Sequence, residues 1–153
     1  MRDLVEIELA RSREIIAGGV ELVPRFRIST PDGETLMFVQ LPDDLDERNR
    51  RMQLVASYMA VHLARSFVMS SELVEPDAHS AVAVSRNGTM AALQVVRRTP
   101  VLTFAEPVWL DAHQIGDELP AMLPGRVESV TPEQIAAVDD LIRHNEGLRL
   151  EPL

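Results

Sequence analysis

The sequence predicts an α+β fold: a mainly antiparallel sheet of five to six strands packed against a long central helix, with N- and C-terminal helices, in a single domain spanning residues 1–153. Three observations carry that prediction. Leu45, Asn49, Met52, Ala56, Met59 and Leu63 recur at spacings of four and three, as one face of a helix requires. Asn87-Gly88 separates two β-like runs, the pattern of a tight hairpin. Thr131-Pro132-Glu133-Gln134 combines a capping threonine, a proline in the first turn and a glutamine at the capping-box position.

The elements follow in order. Asp3–Ala17 reads as a helix with Val5, Leu9, Ser12 and Ile16 on one stripe, stopped by Gly18-Gly19. Val20–Ser29 is β-favouring, with Pro24 pointing to an edge or bulge. Pro31-Asp32-Gly33 supplies a fixed φ, a local acceptor and tolerance of positive φ, so it turns the chain into a strand over Thr35–Leu41. Asp43 or Asp44 caps the long helix, which runs to about Arg65. Its second apolar stripe, Leu54, Tyr58 and Val61, lies nearly opposite the first, so this helix needs two partners.

Phe67–Glu75 alternates as a half-buried strand, Phe67, Met69 and Leu73 pointing one way. In the hairpin, pairing Arg86 with Thr89 sets Val84 opposite Ala91 and Val82 opposite Leu93 on one face. The other face carries Ala81, Ala83, Ser85, Met90, Ala92 and Gln94 and is flat and small. Val101–Leu110 reads as a further strand interrupted by Pro107, followed by a Pro- and Gly-rich loop to Gly125. Ile135, Val138 and Ile142 form the stripe of the last helix, and Leu148–Leu153 is a short tail. The helix–strand–hairpin order is loosely similar to small metal-dependent peptidase-like and ferredoxin-like domains. The His-x-His pair of the former has no counterpart here, and architecture alone carries no function.

Composition narrows the function classes. The net charge is −9 and all 15 basic side chains are arginines. A field of that sign opposes nonspecific binding to nucleic acid or anionic lipid. With no cysteine, disulfides, thiolate metal sites and a cysteine nucleophile are excluded. No segment is apolar enough to span a membrane, and Met1–Glu6 has no apolar signal core, so the expected location is cytoplasmic.

No catalytic motif stands out. Ser70-Ser71-Glu72 lies in a strand without a nucleophile elbow, and His62, His79, His113 and His144 show no zinc-helix spacing. Two readings follow. The first is a noncatalytic protein working through protein–protein contacts, as a homodimer or subunit, with no cofactor. Its expected interface is Leu54, Tyr58 and Val61 on the long helix with Ala83, Ser85 and Ala92 on the hairpin. The second is a small-ligand binder or metal-dependent enzyme. Asp77 and His79 would hold the metal, and Trp109, Asp111 and His113 would line the pocket, provided the two loops converge.

Overall fold

A computed structural model describes residues 1–125 and 129–153. The elements are α1 (Arg2–Ala17), β1 (Arg25–Thr30), β2 (Gly33–Val39), α2 (Leu45–Val61), β3 (Ser66–Leu73), β4 (Ala78–Ser85), β5 (Gly88–Arg97), β6 (Thr103–Phe104), β7 (Val108–Leu110), α3 (Ala112–Ile115), α4 (Glu118–Ala121), α5 (Pro132–Arg143) and β8 (Leu148–Pro152). The strands form one antiparallel sheet in the order β6-β5-β4-β3-β1-β2-β8, with β7 also on β5. No described helix is long and apolar enough to cross a membrane.

The antiparallel α+β architecture agrees with the sequence; the strand number and the helix placement do not. Eight strands replace five to six for two reasons. Val101–Leu110 splits into β6 and β7, since Pro107 has no N–H for a continuous ladder. The expected tail is β8, whose Leu148 and Leu150 alternate with Arg149 and Glu151 and pair with β2. There is also no single central helix. α1 and α2 have 16 and 17 residues, and each covers a different face of the sheet.

One face is the apolar core. Phe26, Ile28, Met37, Val39, Phe67 and Val84 meet Val55, Tyr58 and Met59 of α2 and Ile142 of α5. The period of two fixes this: Phe26 and Ile28 point in, and Arg25 and Arg27 point out the other side. α2 starts where Asp44 accepts hydrogen bonds from the Asp46 and Glu47 amides. It stops at Val61, about four residues short of the expected end near Arg65, because Leu63 enters the left-handed region at φ 54°. α5 carries the expected capping box between Thr131 and Gln134.

The second face lies under α1. Val5 and Leu9 pack on Val68, Ala81, Ala83 and Ala92, and Ile16 on Leu22 and Val96. Small side chains on β4 and β5 let the helix sit close. The hairpin register differs from the expected one by two residues: Ser85 pairs with Gly88, Val84 with Thr89 and Val82 with Ala91. Gly88, at φ 144°, opens β5, and the turn is Arg86-Asn87. A slip of two preserves both faces, so Val82, Val84, Ala91 and Leu93 still share one.

Candidate functional site

The structure does not unite the residues expected to hold a metal. Asp77 is half-exposed and gripped by Arg98, whose Nε and Nη2 donate at 2.8 and 3.2 Å. His79 is fully buried under α1, with Nε2 2.9 Å from Gln94 Oε1 and its ring edge-on to Phe104. Gln94 Oε1 is an acceptor, so Nε2 carries the proton and Nδ1 is left without a partner. Burial lowers the His79 pKa and holds the ring neutral. Among the described residues no group of three or more His, Asp or Glu is arranged for a metal ion.

Nor do the two loops converge. Asp77 sits beside Val96, at one end of the β4–β5 pair. β7 aligns Val108 with Leu93 and Leu110 with Ala91, so Asp111 and His113 continue toward the opposite end. Five residues of strand separate the two places, roughly 17 Å. Trp109 closes the rim of the α1 layer with the Arg2 guanidinium 4.5 Å over its ring. Asp111 starts α3, its N–H donating to Gln114 Oε1 at 2.7 Å. His113 is exposed.

The expected contact surfaces are largely used within the chain. Ala83 and Ala92 are buried beneath α1, and Ser85 is half-buried at the turn. Tyr58 is buried in the α2–α5 core, and Leu54 and Val61 are half-buried. The two partners that the doubly apolar α2 needs are the sheet and α5.

Two arrangements lie outside what the sequence predicts. The first is an ionic layer under α1. Glu8 is 2% exposed and its Oε1 accepts from Arg27 Nε at 2.7 Å and Arg11 Nη1 at 2.8 Å. Its Oε2 lies 3.4 Å from Ser70 Oγ and 3.5 Å from Arg25 Nη2. Burial pushes the Arg25 guanidinium below its ordinary pKa while the Glu8 carboxylate opposes the shift. Arg25 Nε and Ser12 Oγ are buried in the same layer without partners. The sequence holds the signal for this layer: Glu8 follows Val5 by three on the buried stripe, and Arg25 and Arg27 share one strand face.

The second lies at the other side of the molecule. His62, at the C-terminus of α2, meets Asp139 of α5 through Nε2···Oδ1 at 2.7 Å, and its ring stacks on Tyr58 with centroids 4.2 Å apart. They line an open cleft of about 420 Å³ together with Ile142 and Arg143 of α5 and Leu148, Arg149 and Leu150 of β8. The floor is apolar and the rim charged. Seventy-seven residues separate His62 from Asp139, so no local spacing announces the pair.

The cleft runs along β8, which ends the sheet on this side among the described residues. The opposite edge is formed by two short pieces, β7 and β6, which pair with β5 at Ala91–Leu93 and at Val96–Arg97. The fold thus sets an open strand edge beside an apolar cleft. Compared with known proteins, the chain matches no family model, no curated protein and no solved structure.

Proposed function

We propose that this protein works through contact with another polypeptide and not by catalysis, and that the contact surface is the β8 edge with its neighbouring cleft. The observation that carries the reading is the difference between the two edges of the sheet: one is broken into β6 and β7, of two and three residues, whereas the other is the continuous five-residue β8, with no strand beyond it among the described residues. An open edge offers backbone groups to an added strand, and a cleft beside it takes alternate side chains of that strand. Tyr58, Ile142, Leu148 and Leu150 provide the apolar part, and Arg143 and Arg149 the charged rim. This surface replaces the Ala83/Ala92 face, which α1 occupies.

The test is selection of a displayed random-peptide library on the purified protein, followed by amide mapping of the bound peptides by NMR. Peptides that perturb Leu148–Glu151 and Ile142 support the reading. An empty selection on protein that is monomeric in solution, or perturbations confined elsewhere, overturns it.

A second reading, small-ligand binding in the same cleft, is favoured by the His62–Asp139 pair, which fixes one imidazole nitrogen and leaves the other for a ligand. A fragment screen whose hits lose binding in His62→Ala supports it; hits indifferent to that change speak against it.

A further inference from the structure

Resting on the contact reading, we infer that the partner is a second copy of this chain, with β8 pairing antiparallel to the partner's β8 about a twofold axis at Leu150. The backbone says which groups are free. Gln40 N–H donates to Gly147 O and Leu153 N–H to Glu34 O, so Gly147 and Leu153 direct their groups toward β2. Alternation then turns Arg149 and Glu151 toward β2 and directs the backbone of Leu148, Leu150 and Pro152 outward. Leu148 N–H is already given to Asn145 O, and proline has no N–H. The only outward donor of β8 is therefore Leu150, whose N–H and C=O can both be satisfied by the partner's Leu150.

The side chains select the same register. With Leu150 opposite the partner's Leu150, Arg149 stands opposite the partner's Glu151, and Glu151 opposite the partner's Arg149. A shift of two residues one way sets arginine against arginine; the other way, glutamate against glutamate. Both are disfavoured for directly opposed residues. A shift of one turns the apolar side chains to the wrong face. One strand thus carries its own complement, as a twofold interface demands. Arg149 and Glu151 are 66% and 50% exposed and 3.3 Å apart within one chain, with the Arg149 guanidinium 4.4 Å over the Phe38 ring, so both charges lie at the surface within reach of a partner strand. Leu150 lies on the cleft side with Leu148, so the paired strands extend the apolar floor across the axis.

The experiment is the mass of the full chain in solution across a concentration series, by light scattering and native mass spectrometry. A concentration-dependent dimer is expected. Arg149→Glu and Glu151→Arg each create two like-charge pairs, and each should weaken the dimer about tenfold. The double variant R149E/E151R regenerates the opposite-charge pairs in reverse and should return to near the native affinity. Circular dichroism checks that each variant is folded. A monomer at every concentration overturns the inference, and so does a dimer in which the double variant is no tighter than the singles. A monomer that still selects peptides at β8 removes only self-pairing; a monomer that selects none removes the contact reading as well.

Discussion

Glu8→Gln tests the ionic layer beneath α1. The substitution keeps size and shape and removes one charge. In the native protein the Glu8 side chain is 2% exposed, against 9% for Arg25 and 14% for Arg27. The change therefore leaves two nearly buried guanidinium groups facing a neutral amide. Removing one member of a buried pair costs about 3–5 kcal/mol. Arg27 also lies 3.7 Å from the half-exposed Glu34, and Arg11 is 46% exposed, so the lower end, about 3 kcal/mol, is expected. That is a large fraction of the roughly 5–15 kcal/mol that holds a domain together. It lowers the melting temperature by about 6–12 °C for a chain of this size. The assay is urea unfolding followed by far-ultraviolet circular dichroism. A fall in midpoint of about 1.5 M with unchanged slope is expected if the slope is near 2 kcal/mol/M. Glu6→Gln is the control, because Glu6 pairs with Arg2 at the surface, 52% and 63% exposed; it should shift stability by less than about 0.5 kcal/mol. If the two variants unfold at the same urea concentration, the layer contributes no more than a surface ion pair, which refutes the assigned role of Glu8.

Three further outcomes follow from local geometry. Because the folded His79 pKa lies below its unfolded value, His79 supports stability fully above about pH 6.5 and progressively less as the pH falls toward the folded pKa, at up to about 1.4 kcal/mol per unit. Urea midpoints at pH 7 and 5.5 should therefore fall more for the native protein than for His79→Gln, and parallel shifts would refute the assignment. Leu63→Gly should raise the melting temperature, since Leu63 holds φ 54° while 41% exposed, and relief of that backbone is worth roughly 1 kcal/mol; a lower melting temperature would mean that its contacts outweigh the strain. At Gly147 an added Cβ would collide with the Arg51 guanidinium, which donates to Gln40 O at 2.6 Å. Gly147→Ala should cost about 1 kcal/mol through loss of that hydrogen bond, read by thermal unfolding, and a neutral result would show that Arg51 moves freely.

Much of the fold was written in local pattern. The Val5–Leu9–Ser12–Ile16 stripe, the Asp44 and Thr131 caps and the Pro31–Gly33 turn depend on neighbours within a few residues, and each stands where the sequence puts it. Strand faces were equally legible, because a period of two survives a register slip of two. What local pattern does not hold is partner choice. The small residues of β4 and β5 looked like an open surface, and they are the seat of α1, chosen by contacts up to about ninety residues away. β8 has the look of a tail in the sequence because five residues bracketed by glycine and proline carry little signal until β2 is beside them. The candidate site suffers most: the cleft combines α2, α5 and β8, and neither His62 nor Asp139 is distinguished by its own surroundings.

The β2–β8 pairing also orders events during synthesis. The β1–β2 hairpin closes across a two-residue turn and leaves the ribosome before β8, yet its outer edge pairs with residues more than a hundred positions later. Until then, Leu36–Val39 stand at an unfilled edge, and closing so long a loop is the slowest kind of contact to make. A nascent chain halted before Leu148 should thus hold a nearly complete sheet whose exposed β2 is the natural place for a chaperone, or a neighbouring nascent copy, to bind.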